Sequence, residues 1–140
     1  GKTMRRLSDN DALRCIVLRG AGGKAFAAGA DIAEFATERA NAHQAKQYGE
    51  LIHSAMQAVA QCRHPTVALI EGACIGAGLE IAACCDIRIA GASSRFGVPI
   101  AKLGFPLKTG VYCLFQQIQR TVQPFHPAVH ARSVLRPGAV

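Results

Sequence analysis

The sequence predicts one α/β domain with largely parallel strands. Three observations predict it. Short β-branched apolar runs recur at 14–19, 66–70 and 86–90. A long amphipathic stretch with helical spacing, 41–62, lies between the first and second. A shorter apolar helical stretch, 78–85, separates the second from the third. Helical crossovers of this kind make neighbouring strands parallel.

The elements follow in order. Residues 3–8 read as the last turn of a helix, and Ser8-Asp9-Asn10-Asp11 as a loop. The first strand is RCIVLR, broken by Gly20-Ala21-Gly22-Gly23. A small, glycine-punctuated segment, 24–31, comes next, and 32–35 fits one helical turn. The long helix places Tyr48, Leu51, Ile52, Ala55, Met56 and Val59 on its core face. His64-Pro65 stops it. TVALI is the second strand, 71–78 a glycine-rich turn, and 78–85 a buried helix. DIRIA is the third strand and SRFGV, 94–98, a fourth.

Composition narrows the function classes. The 140 residues suit one domain and suffice for a core. Half are apolar and 18% charged, which excludes wholesale disorder. Of the six cysteines, Cys15, Cys74, Cys84 and Cys85 sit in apolar runs without zinc-finger spacing. They read as small buried hydrophobes of a reducing compartment, so a cytoplasmic location is expected. Glu71 and Glu80 interrupt the best apolar stretch, so no membrane helix is expected.

The net charge of +7 is unevenly placed. Residues 1–86 balance nine basic against nine acidic side chains, whereas 87–140 hold seven basic and no acidic ones. An acid-free tail fits a nucleic-acid arm or sequence never selected to fold. Its basic residues are thinly spread among few aromatics, so nucleic acid is not the expected partner. His126 and His130 flank Pro127 with no further ligand nearby, and no metal site is expected.

Two small-residue loops each follow a strand, at 26–31 and 72–78. In α/β sheets ligands gather beyond the carboxyl ends of strands. Backbone N–H groups there, one at a helix N-terminus, can form an oxyanion hole. Tight turns that merely let helices pack on the sheet remain the alternative. Glu80 stands in CIGAGLEIAACC, where nearly every neighbour is apolar or glycine. Such a carboxylate is a general acid–base candidate with a raised pKa, or it reaches solvent or an arginine at the helix edge. Asp86 reads as structural, bonding locally to backbone donors. Gly20-Ala21-Gly22-Gly23 is not a dinucleotide loop, since the third glycine position is Ala25.

KAFAAGADIAEF at 24–35, EGACIGAGLEIAACCDIRIA at 71–90 and SRFGVP at 94–99 together resemble the crotonase, or enoyl-CoA hydratase/isomerase, superfamily. The resemblance covers roughly residues 7–106. It implies a crotonase-like (ClpP/crotonase) spiral of ββα units, incomplete here, and an acyl-CoA thioester as substrate. It places the two oxyanion-hole amides on Ala30 and Ala77 and a catalytic acid/base on Glu80. It lines the CoA site with Lys24, Ala28, Gly29, Ala30, Asp31, Ile32, Gly76 and Ala77. It implies no cofactor, since coenzyme A is part of the substrate. A lyase or isomerase of fatty acid metabolism, trimeric or hexameric when intact, is the expected class.

Two departures are visible. Hydratases of the family use a second glutamate about 20 residues on, and that position is Ile100. An aliphatic side chain cannot transfer a proton, so fast hydration is not expected and the reaction type stays open. A non-catalytic remnant of such an enzyme is therefore the alternative. The second departure is the ends. Residues 1–106 read as a partial core truncated at both ends, and 107–140 as a divergent tail. A frameshift near residues 107–110 accounts for its acid-free composition. Translation of the two other reading frames tests this.

Overall fold

The computed structural model describes residues 1–98, apart from the side chains of Ile32, Phe35 and Ala36. Ile100, the tail expected from 107, and His126 and His130 lie outside the described residues.

Six short strands divide between two parallel three-stranded sheets. β1 (Ile16–Arg19), β3 (Thr66–Ile70) and β5 (Ile87–Ala90) form sheet A in the order β1-β3-β5. β2 (Ala25–Ala27), β4 (Ala73–Ile75) and β6 (Arg95–Gly97) form sheet B in the order β2-β4-β6. Each turn of the chain thus gives one strand to each sheet. The first is followed by α2 (Phe35–Glu38) and α3 (Ala42–Ala60), the second by α4 (Ala77–Cys84). This is a spiral of ββα units, and α1 (Lys2–Ser8) precedes it.

Sheet A carries the core. In the register Val17, Val67 and Ile87 align in one row, and Leu18, Ala68 and Arg88 in the next. β3 is central, and its alternate residues Thr66, Ala68 and Ile70 are buried. Around them pack Met4, Ile16, Val59, Cys74, Leu79, Ala82 and Cys85. Burial pushes the Cys74 thiol up to about 12 and the Cys85 thiol up to about 11. Both are protonated at neutral pH and act as small hydrophobes.

Helix α3 begins where the Asn41 side chain accepts a bond from the Gln44 amide, 2.9 Å. At its end Arg63 N–H donates to Ser8 Oγ and the His64 ring to the Asn10 carbonyl, each at 3.0 Å. These bonds tie the helix end to the loop after α1.

Two expectations are corrected. The segments 24–31 and 71–78, read as loop and turn, contain β2 and β4. Three-residue strands of mostly small residues show no alternation in sequence, and their pairing partners are distant in the chain. Leu51, assigned to the core face of α3, is 68% exposed. The described residues bury α3 only at its C-terminal end, through Ala58 and Val59. The single helical turn expected at 32–35 is present as a 3-10 turn (Ile32–Glu34) that leads into α2.

Candidate active site

The ends of β2 and β4 create the site. These strands are neighbours, with Ala27 paired to Cys74. Their carboxyl ends therefore open at one edge of sheet B, and the two small-residue loops leave from there. Residues 28–31 follow β2, and Gly76 and Ala77 follow β4.

The loops touch. Gly76 adopts φ +54° and Gly29 φ +117°, conformations that L side chains rarely take. A Cβ on Gly76 would lie 3.8 Å from the Gly29 Cα, and one on Gly29 would lie 3.7 Å from the Ile75 carbonyl. Glycine at both positions lets the backbones meet without a side chain between them. The Gly76 amide donates to the Gly97 carbonyl at 2.9 Å, which binds the end of β6 to the same edge.

Ala77 is the first residue of α4. The first amides of a helix have no intrahelical acceptor. The Leu79 and Glu80 amides are satisfied by the Gly76 carbonyl at 2.9 and 3.2 Å. Among the described residues, neither the Ala77 nor the Ala30 amide donates to a backbone carbonyl. Both are thus available as donors, one of them at the positive end of a helix dipole. Gly78 seats this helix end. A Cβ there would come within 2.5 Å of the Ala27 carbonyl and 2.7 Å of the Ala27 Cβ. Only glycine lets α4 start this close to β2.

Glu80 lies three residues after Ala77, one helical turn further on and on the same face. It is half-buried, and burial raises its carboxyl pKa. Among the described residues it has no hydrogen bond or ion pair. One turn beyond, the Cys84 thiol is raised by burial and then by the Glu80 charge, so the two side chains share one environment. The Glu80 carboxyl, its pKa raised by burial, thus lies one helical turn after the Ala77 amide, at the helix that leaves the loop junction.

The remaining expected residues divide. Ala28, Gly29, Ala30, Gly76 and Ala77 come together at the edge of sheet B. Asp31 belongs to the same loop, and its carboxylate accepts the Ala33 amide at 2.9 Å, capping the turn that Ile32 opens. Lys24 does not join them. It precedes β2 at the strand's other end, roughly 10 Å away at about 3.3 Å per residue. A small cavity of about 60 Å³ lies instead by Arg19, Gly20, Gly23, Ala25, Leu69 and Glu71. It includes no residue of the loop junction. Among the described residues no group of three His, Cys, Asp or Glu side chains could hold a metal ion. No helix there is long and apolar enough to cross a membrane.

Sequence reasoning missed the seating role of Gly78. Asp86, expected to be structural and to bond locally, does accept a backbone donor, but from Thr66, 20 residues away. Its carboxylate accepts both the Thr66 amide and the Thr66 hydroxyl at 2.7 Å, while its own amide donates to that hydroxyl oxygen at 3.0 Å. These bonds from Thr66 hold the Asp86 carboxyl below its usual pKa.

The enoyl-CoA hydratase/isomerase family model matches residues 1–122. The chain belongs to the enoyl-CoA hydratase/isomerase family. The match continues beyond Pro106 into the segment outside the described residues. A crotonyl-CoA hydratase of Syntrophomonas wolfei is 35% identical over 98 residues, 70% of this chain and 37% of that protein. A short-chain-enoyl-CoA hydratase of Clostridium acetobutylicum is 38% identical over 97 residues, covering 69% and 36%. Among solved structures, an enoyl-CoA hydratase/carnithine racemase from Magnetospirillum magneticum superposes with a TM-score of 0.78 at 43% identity. The superposition covers 84% of this chain and 44% of that one. An enoyl-CoA hydratase of Bacillus anthracis gives 0.74 at 31% identity, with 83% and 44% covered. The two-sheet spiral is therefore part of the crotonase fold. The chain spans little more than a third of the two curated relatives named here.

Proposed function

We propose that this enoyl-CoA hydratase/isomerase family chain binds an acyl-CoA thioester at the carboxyl edge of sheet B and moves a proton at its α-carbon. The meeting of the two loops at Gly29 and Gly76 carries this reading. It brings the free amides of Ala30 and Ala77 to one edge. A thioester carbonyl between them would gain charge as the α-proton leaves, and two preorganised donors stabilise the enolate more than the ground state. Glu80 takes that proton and returns it. Burial raises its pKa, which favours the protonated form and helps a group that must carry the proton before returning it. The segment 28–32 flanks the CoA portion. Lys24 lies at the far end of β2, where only the outer part of a long ligand would reach it. Coenzyme A enters as part of the substrate, and no further cofactor is proposed.

The chemistry we assign is α-proton exchange or double-bond migration rather than water addition. Hydration needs a second proton-transferring group, and the family position for it holds Ile100. That same residue favours a second reading, a non-catalytic remnant that retains the fold. A trimer or hexamer in a reducing, cytoplasmic compartment belongs to the same proposal, and sedimentation tests the assembly.

A thermal melt with and without crotonyl-CoA is the first test. Ligand that binds the native state raises the midpoint. A cooperative melt with no shift at millimolar ligand overturns the binding site. Exchange of the α-hydrogens of butyryl-CoA, a saturated thioester, into deuterated water then separates the two readings. Turnover that falls about a hundredfold in Glu80→Gln supports the acid–base role. Background exchange alone in the parent chain selects the remnant.

A further inference from the structure

We propose that Arg88 is a positioning residue for the Ala77 amide, acting through the whole length of α4. Its use in catalysis rests on the acyl-thioester reading above, whereas its structural action does not.

Helix α4 has eight residues, about 12 Å at 1.5 Å per residue. Its N-cap is Gly76, which offers no side-chain cap bond. No side-chain hydrogen bond therefore caps the end that carries Ala77, which is packed through the buried Leu79. The other end is held by a side chain. Arg88 Nη1 donates to the Ala82 carbonyl at 3.3 Å, to the Ala83 carbonyl at 3.5 Å and to the Cys85 carbonyl. Two of these belong to the last turn of the helix, and the third to its C-cap. Carbonyls there lack the regular intrahelical donors, and the Ala82 carbonyl also accepts the Cys85 amide at 3.3 Å. The guanidinium also places a positive charge at the negative end of the helix dipole.

Arg88 sits in β5, opposite Ala68 of the central strand. Two residues earlier, Asp86 is bonded to Thr66 at the start of that strand. The guanidinium therefore joins α4 to β5, beside the central strand of sheet A. Its Nε is buried without an acceptor among the described residues. That desolvated N–H is a cost a freely solvated surface arginine would not carry. A rigid two-turn helix pinned at its C-terminus and seated by Gly78 on β2 has little freedom at its first amide. Arg88 thus fixes where the Ala77 N–H meets a ligand, without touching the ligand.

The test is amide exchange on the full chain without ligand. The amides read are Leu79 and Glu80, which bond to Gly76 at the end of α4 away from Arg88. Arg88→Met should speed their exchange about tenfold relative to the amides of β1 and β3. Arg88→Lys, which keeps the charge and donors, should restore most of the protection. Unchanged exchange at Leu79 and Glu80 in a folded Arg88→Met chain overturns the proposal. If that variant does not fold, Arg88→Gln is read by the same criterion. A second readout is the carbonyl stretch of bound crotonyl-CoA. It should move to lower frequency in the parent chain and less so in Arg88→Met. No shift in the parent sinks the acyl-thioester reading, and Arg88 is then judged on amide exchange alone. Faster exchange with an unaltered stretch makes Arg88 a structural cap only.

Discussion

Sheets A and B have the same number of strands, the same parallel sense and interleaved connections, yet different forces hold them. Sheet A is built from strands of four or five residues rich in Val, Ile and Leu. Its central strand buries Ile70 and Ala68 completely. Sheet B is built from strands of three residues, and only Cys74 among them is fully buried. What it has instead is close backbone approach, at Gly29, Gly76 and Gly78. Sheet A supplies the buried core and sheet B the edge of the proposed site. The difference teaches that an anion site wants bare backbone, and bare backbone buries little apolar surface. Such a site must borrow its rigidity from a neighbouring scaffold. Arg88 links sheet A to α4, and the Asp86–Thr66 pair links β5 to β3 within sheet A.

Breaking the scaffold should have the largest effect. Ile70→Ala removes a fully buried side chain from the centre of sheet A and should cost about 2–5 kcal/mol. Urea unfolding measures this, and both sheets should be lost together. A smaller effect is expected from Gly78→Ala. Its Cβ meets the Ala27 carbonyl, and such overpacking costs about 1–3 kcal/mol. Unlike the first change, it should loosen β2 and α4 while leaving the exchange protection of β1 and β3 intact. Equal loss from both sheets would break the comparison.

Thr66→Val tests one link. It removes the hydroxyl that donates to Asp86 and should cost about 1–2 kcal/mol at neutral pH. The pH dependence has a definite sign. The Asp86 pKa is lowered in the folded state, so its contribution is present above the unfolded value near 3.9. It is lost as pH falls through the lower folded value. Melts between pH 5 and 2 should show a shallower acid slope in Thr66→Val than in the parent.

Glu80→Gln sharpens the comparison in the opposite direction. Burial raises the Glu80 pKa, so the folded state prefers the protonated form. The resulting stability is present below the unfolded value near 4.3 and is lost as pH rises through the folded one. At pH 7 the charged carboxylate opposes folding, and Glu80→Gln should melt at the same temperature or slightly higher. A site group that weakens the fold is what a region selected for chemistry rather than stability should contain. A lower melting temperature would instead give Glu80 a structural role. The smallest effect belongs to Leu51→Ser, within about 0.5 kcal/mol, because Leu51 is largely exposed. A larger loss in the full chain would show that this face of α3 is covered in solution.

Much of sheet A was legible in the chain. Ile16–Arg19, Thr66–Ile70 and Ile87–Ala90 all lie within apolar runs, and Pro65 marks the boundary before the second. Helix α3 follows its 3.6-residue spacing and α4 its apolar run, though periodicity alone did not show that Leu51 is exposed among the described residues. Of the candidate site, Glu80 stood out because a carboxylate among apolar residues is costly, and Ala30 and Ala77 came from the motif resemblance. Local pattern is enough for such features, since a buried run or a misplaced charge declares itself through its own neighbours.

The pairing of β2 with β4 was not legible. Neither Ala25–Ala27 nor Ala73–Ile75 has a pattern of its own, and 45 residues separate their ends. Only the stacked turns of the spiral bring Gly29 against Gly76 and seat Gly78 on Ala27. The sequence by itself determined the α/β class, the elements of the scaffold and the chemical types present. The tertiary structure decided which loops meet, which amides are left without acceptors, and that Lys24 lies at the wrong end of its strand to join them. Composition and periodicity report on burial, which is local, whereas a site of backbone donors depends on distances between segments that no local pattern records.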